Sequence, residues 1–158
     1  MKLIHTIQEF EMLLSRNAMS YARTSVCLCG GITGTRKIAA IAEAHGVQIV
    51  PHNPLSPVST AVCLQIAVAT ENCAIHVLPN HETISATERY TSSYSIQGIE
   101  FKQSDLVTWV PKAENGFIVI PDKPGIGIDL VDGIETKFPY QRRVINTRLN
   151  IDGSIVDQ

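Results

Sequence analysis

Gly30–Pro57, GGITGTRKIAAIAEAHGVQIVPHNPLSP, decides how the chain is read. Its Gly30-Gly31 pair ends one element, and Thr33 has the side chain of an N-cap for a helix with Ile38, Ile41 and Ala42 on its apolar face. Gly46 stands where a helix leaves through a left-handed residue. Val47–Pro51 is then a short β-branched strand, with His52 just past its carboxyl end. Ser56 before Pro57 opens another helix, because serine caps the first free N–H groups and proline has none to lose at the first helical position.

The same unit recurs on both sides. Thr6 and Glu9 have the spacing of a capping box, and Ile7, Phe10, Leu13 and Leu14 recur at helical spacing, which predicts a helix from about Ile7 to Asn17. Tyr21–Leu28 reads as a strand, Val58, Ala61, Val62, Gln65 and Ile66 carry a helix toward Thr70, and Ala74–Leu78 reads as a further strand. Short apolar strands alternating with helices predict parallel βαβ units. Residues 1–79 are therefore expected to be α/β, with three or so βα units. In such folds chemistry sits at the carboxyl ends of the strands, which makes His52 the first candidate site residue.

From Asn80 the pattern changes. Residues 80–105 are rich in Ser and Thr and are expected to form a long surface loop with one short helix. Residues 106–158 are expected to be a β-rich tail packing on the barrel part. Leu106–Val110, Phe117–Ile120 and Ile126–Leu130 are its short apolar runs, divided by Pro111, Asn115-Gly116 and the PDKPG turn. Asp152-Gly153 between Val144–Ile151 and Ser154–Val156 is a hairpin signal.

Composition narrows the function. The 158 residues, 44% of them hydrophobic, suffice for one domain burying about two-thirds of its unfolded surface. A formal charge of -2 provides no field for nucleic acid or anionic lipid, so neither is expected as a partner. Lys2, His5, Gln8, Glu9 and Glu11 interrupt any signal-peptide core, and no apolar run reaches the ~18 residues of a membrane span. The expectation is a cytoplasmic protein. Cys27, Cys29, Cys63 and Cys73 lack the paired spacing of zinc ribbons, so buried, reduced thiols are expected.

Four segments carry a resemblance. HTIQEFEMLLSRNA (His5–Ala18), CGGITGTRKIAAIAEAHGV (Cys29–Val47), PHNPLSPVSTAVCLQIA (Pro51–Ala67) and NGFIVIPDKPGIGIDL (Asn115–Leu130) resemble the C-terminal part of the enolase superfamily. Within it they are similar to the mandelate-racemase-like subgroup, which contains galactonate and mannonate dehydratases. The resemblance implies that residues 1–79 are the last three or so βα units of a partial TIM-type barrel, and it implies a lyase that removes a proton alpha to a carboxylate while Mg²⁺ holds the enediolate, and then expels the beta hydroxyl.

Carried over residue by residue, the resemblance puts His52 at the strand-end general base and Ser25 where the family has the Asp that orients this ring. A hydroxyl brings no charge, so His52 is expected to be a relic of the base. His76-Val77 stands where the family often carries a Glu, and Met1-Lys2-Leu3 stands at a Gly-Glu-Arg segment that supplies the last metal ligand. The other ligands belong to earlier strands, and a whole barrel takes ~250 residues. No metal site and no cofactor are therefore expected in these residues alone, although Mg²⁺ serves the family.

The remaining polar residues each have two readings. Asn53 holds a turn before Pro54 or contacts a ligand, and His45 complements a helix dipole. His76 and His81 join His52 around a transition metal or are surface histidines. Arg36-Lys37, placed in a first helical turn, meets an anion or is an exposed face, and Arg142-Arg143 is a solvated pair.

Two functions follow: the C-terminal segment of an acid-sugar dehydratase, inactive as these residues alone, or a non-catalytic remnant acting as an oligomeric binding module. Open parallel edges must be covered in either case, which predicts a homo-oligomer or a complementary N-terminal barrel chain, with a sugar acid as ligand.

Overall fold

The computed structural model describes residues 4–53, 56–76, 93–96, 99–110, 113–115, 117–140 and 150–154. Helix α1, Ile7–Leu14, begins as its sequence dictates. The Glu9 N–H donates to Thr6 Oγ1 at 3.2 Å, while Glu9 Oε2 accepts from the N–H of His5 at 2.9 Å and the N–H and hydroxyl of Thr6, both at 2.8 Å. The two backbone donors, His5 first, and then the Thr6 hydroxyl stabilise the ionised carboxylate and lower its pKa to about 2. The helix is shorter than the predicted run to Asn17. Asn17 turns left-handed at φ 52°, and the Ala18 N–H returns to the Leu13 carbonyl at 2.9 Å, so the last predicted turn becomes the exit.

Strand β1, Tyr21–Ala22, pairs in parallel with β2, Gln48–Ile49, and Ile49 forms a parallel bridge to Cys73 on its other side. Helix α2, Gly31–Ala44, connects β1 to β2, and α3, Pro57–Val68, leads from β2 toward Cys73. The predicted α/β order of residues 4–76 is present. Its strands are shorter than predicted, and extended backbone bonds continue past them: the Val50 N–H reaches the Ala22 carbonyl at 3.0 Å, and the His52 N–H that of Thr24. Of Ala74–Leu78, the part from Val77 lies outside the described residues.

Beyond Thr24 the predicted strand gives way to a turn. The N–H groups of Leu28 and Cys29 both reach the Ser25 carbonyl, at 2.9 and 2.8 Å, and the Gly31 N–H reaches Val26 at 3.1 Å. This turn leads straight into α2, so the helix starts at Gly31, after Gly30 at φ 82°, and Thr33 falls inside the first turn instead of capping it. Gly34 is the reason the approach can be so close. A Cβ there would stand 1.7 Å from the Cys29 carbonyl oxygen. At the other end Gly46, φ 67°, makes the predicted exit, with the Val47 N–H bonded to the Ala42 carbonyl at 2.8 Å.

The main core gathers Phe10 and Leu14 of α1, Ala22, Val26, Cys29, Ile38, Ala39 and Ala42 of α2, Ile49, and Cys63 and Ile66 of α3. Helix α3 is buried on more than this side. Its Ala61 packs with Val107 and Ile128, flanked by Val58, Leu106, Trp109 and Ile126. Its apolar residues consequently surround the helix and do not form one stripe.

Where a long loop with one short helix is predicted, Ser93–Ile96 and Ile99–Lys102 form the antiparallel hairpin β3–β4, with Ile96 opposite Ile99. Tyr94 and Ile96, then Ile99 and Phe101, alternate with polar residues around Gln97-Gly98, and this period of two outweighs the Ser-rich composition. A 3₁₀ turn, Gln103–Leu106, follows, and Val107 bridges antiparallel to Leu130. The Thr108 N–H donates to the Asp129 carbonyl at 2.9 Å and the Val131 N–H to that of Leu106 at 3.1 Å. Strands β5, Ala113–Glu114, and β6, Phe117–Ile118, pair across Asn115, whose φ of 52° suits the predicted turn. The one-turn helix α4, Ile134–Lys137, has no counterpart in the sequence reading. Asp152 closes its predicted turn by accepting from the Ser154 N–H at 2.9 Å, while most of the flanking strands lies outside the described residues.

All four cysteines are free thiols. Cys29 and Cys63 are buried as expected, but Cys27 is exposed because it lies in the Val26–Gly30 turn and not on a strand. Burial pushes the Cys63 thiol up to about 12, with the Cys27 and Cys73 thiols adding to it.

Three outcomes check this packing. In Gly34→Ala the backbone of the turn must move, and urea unfolding should show a loss of about 1–3 kcal/mol; stability equal to the parent would contradict the close approach. Because the Glu9 pKa is lowered by folding, its contribution is present above the unfolded value of 4.5 and disappears as pH falls through about 2. Glu9→Gln should accordingly melt below the parent at pH 7 and together with it at pH 2. Mass spectrometry after brief iodoacetamide treatment at pH 8 should find Cys27 modified and Cys63 untouched until the chain is unfolded.

Candidate functional site

His52 is set by the parallel ladder. Its N–H donates to the Thr24 carbonyl at 2.6 Å, which fixes the backbone where β2 passes into the turn before α3. Its ring meets Arg23: Nη2 stands 2.6 Å from Nδ1. Arg23 follows β1 directly and is exposed, and His52 is half-buried. The ring therefore has a cation at Nδ1, and its neighbour there is Arg23 and not Ser25. Ser25 itself is buried in the turn, where its carbonyl takes the Leu28 and Cys29 N–H groups. Arg23 has no motif to single it out in the sequence; the available signal is its position one residue past β1, the strand paired with the one that leads to His52.

Asn53 points away from solvent, with 1% exposure. Its amide donates to Thr60 Oγ1 and accepts from the Ser59 hydroxyl. Those hydroxyls also reach the Ser56 carbonyl, at 3.0 Å from Thr60 and 3.1 Å from Ser59, and the Ser59 N–H is capped by Ser56 Oγ at 3.2 Å. Asn53 thereby ties the strand end to the first turn of α3 and holds the backbone next to His52.

The other polar candidates are scattered. His45 ends α2 and places Nε2 3.4 Å from Glu11 Oε2, linking α2 to α1. His76 has both ring nitrogens buried without a hydrogen-bond partner among the described residues, and burial lowers its pKa to about 4. Because α2 starts at Gly31, Arg36 and Lys37 fall in its second turn and not its first. Lys37 lines an open cleft of about 370 Å³ with His5, Thr6 and Thr33, at the N-terminal ends of α1 and α2. His81, Arg142 and Arg143 lie outside the described residues.

Magnesium requires oxygen ligands, preferably carboxylates. Among the described residues no three His, Cys, Asp or Glu side chains come together in a way that could hold a metal ion. The Nδ1 side of the His52 ring faces a guanidinium, which repels a cation. The residues around His52 do not fit such an ion.

Known proteins resemble this arrangement of elements. Across 96% of its length the chain superposes with a TM-score of 0.69 and 26% identity on an enolase from Agrobacterium radiobacter, described as a putative galactarate dehydratase and solved with Na and L-malate, covering 38% of that chain. A putative mandelate racemase/muconate lactonizing enzyme from Labrenzia alexandrii gives a TM-score of 0.68 at 26% identity, over 90% of this chain and 32% of its own. Among curated sequences, a D-galactonate dehydratase family member from Streptomyces bingchenggensis is 28% identical over 99% of this chain. The D-galactarolactone cycloisomerase of Agrobacterium fabrum is 34% identical over 79%. The chain spans only 34% and 31% of the length of these two relatives. The profile described as Enolase C-terminal domain-like matches residues 2–134. With that match running through α1, the paired strands, α2, α3 and the first part of the tail, the chain belongs to the enolase C-terminal domain-like family.

Proposed function

We propose that these 158 residues are the C-terminal segment of an acid-sugar dehydratase scaffold, carrying its last βα units and a β-rich tail, and that by themselves they do not catalyse dehydration. The observation that carries this reading is the Arg23–His52 contact. A general base for alpha-proton abstraction needs a free lone pair facing substrate and a partner that raises its basicity. His52 stands at the strand end where relatives of this fold would place such a base, and Ser25, at the position of the dyad carboxylate, brings no charge to it. Proton abstraction alpha to a carboxylate also leaves an enediolate whose charge must be neutralised, and the described residues offer no carboxylate set for the metal that would do so.

A second reading, an oligomeric module that binds a sugar acid without transforming it, is favoured by the sheet edges. Tyr21 on β1 is 57% exposed, and Ile75, beyond the bridge to Cys73 on the opposite edge, is 67% exposed. Wet apolar residues on open parallel strands favour association with a second copy or with a chain carrying the preceding strands. A cytoplasmic setting accords with four unpaired thiols. Among the described residues no helix is long and apolar enough to cross a membrane.

The purified chain, incubated with D-galactonate and magnesium, should give no 2-keto-3-deoxy product, and calorimetry should register no magnesium binding at millimolar metal. Turnover that a chelator abolishes would refute the inactive-segment reading. Light scattering should give a discrete oligomer under the module reading, and a monomer stable to dilution would remove it.

A further inference from the structure

Asn115 stands at the turn of the β5–β6 hairpin and is the one asparagine of the chain that glycine follows in the sequence. Such a pair is open to a reaction that needs only water. The Gly116 amide nitrogen bonds to Asn115 Cγ, the Cγ–Nδ2 bond breaks, and ammonia leaves with the proton that the attacking nitrogen gives up. Water then cleaves either C–N bond of the cyclic imide. Cleavage at Cγ yields aspartate, and cleavage at the backbone carbonyl yields isoaspartate, in which the chain runs through Cβ. Nothing is oxidised or reduced. The reaction requires an unheld side-chain amide, an uncommitted and uncrowded backbone nitrogen after it, and solvent to carry the protons.

We propose that Asn115 is a modification site of this chain, converting through a succinimide to isoaspartate and aspartate while the protein stays folded. Its side chain is exposed and makes no hydrogen bond among the described residues. The ladder pairs Glu114 with Phe117 and so ends on either side of the turn. The other described asparagines each lack a requirement. Asn17 is exposed and has the same φ of 52°, but the nitrogen after it, that of Ala18, is bound to the Leu13 carbonyl at 2.9 Å. Asn53 is buried and precedes Pro54, which has no N–H. The Asn72 amide is held by the Ala39 and Val47 carbonyls. That of Asn150 donates to Ser154 Oγ at 3.0 Å, and the branched Ile151 follows it. Isoaspartate adds a backbone atom between Glu114 and Phe117 and a carboxylate beside Glu114. Strands of two residues each have no further pairs to hold the register against it. No described residue of the hairpin belongs to either core cluster, so the change stays local.

The full chain, held folded at pH 8 over days, should be mapped by mass spectrometry of its peptides. Asn115 should exchange its NH₂ for OH ahead of every other asparagine. An isoaspartyl methyltransferase supplied with labelled S-adenosylmethionine should then place methyl groups on the peptide that contains it. A parallel sample unfolded in urea measures what the sequence does without the hairpin, and the folded rate should lie within about tenfold of it, a barrier difference under about 1.4 kcal/mol. Asn115→Gln, whose longer side chain must close a larger ring, should keep the parent's circular dichroism spectrum and accept no methyl group in this peptide. Conversion of Asn115 in urea but not in the folded chain, earlier conversion of another asparagine, or a product that accepts no methyl group would each overturn the proposal. The isoaspartyl fraction should unfold at the parent's urea midpoint, and a lower midpoint would refute the local reading. None of these readouts involves dehydration or the oligomeric state.

Discussion

The two sides of Ile49 hold the α/β part together. On one side β2 pairs with β1; on the other, the Ile49 N–H takes the Asn72 carbonyl at 2.8 Å and its carbonyl takes the Ala74 N–H at 3.0 Å. A fully buried residue has no water to turn to, so both backbone groups must find these partners. Asn72 secures the outer side further, its side-chain amide donating to the Ala39 and Val47 carbonyls, both at 3.0 Å. The position of His52 follows from this ladder, three residues along the same backbone. Where α2 and α3 can lie is set by the connections on either side of it.

The alternation of helices and strands was legible because each helix is signalled twice, by apolar spacing and by its ends: Thr6 with Glu9, Ser56 with Pro57, and Gly46 after α2. The start of α2 was misjudged for a physical reason. Thr33 has the right side chain for a cap, but the close contact at Gly34 draws the helix back to Gly31, and a single sequence does not display such contacts. In the same way, Val26–Leu28 looks like strand until the N–H groups of Leu28 and Cys29 are seen to be claimed by the Ser25 carbonyl. The β3–β4 hairpin was hidden by composition, since serine reads as loop although its alternation with Tyr94 and Ile96 was present.

The site was legible in part. His52 is found by its place after a strand, and Asn53 by its neighbours, whereas Arg23 becomes relevant only when two strands are set side by side. Sequence distance conceals this pair: 29 residues and a whole helix separate them. Ser25 and Arg23 differ by two positions, yet one lies buried in a turn and the other reaches the ring. Carrying a role from a family to a single aligned position misses a neighbour that has taken up the same ring with the opposite charge.

Helix α3 has a consequence for how the chain comes apart. One of its sides is packed into the α/β core through Cys63 and Ile66, and another holds Ala61 against Val107 and Ile128 of the tail. A helix shared by two clusters cannot loosen for one while staying ordered for the other. Its amides are placed to be among the slowest to exchange with solvent hydrogen, and loss of the Val107–Ile128 packing would be felt as earlier exchange along α3, a helix many residues upstream in the chain. The tail is in this sense a clamp on the kinetics of the whole unit, although none of its described residues belongs to the larger core.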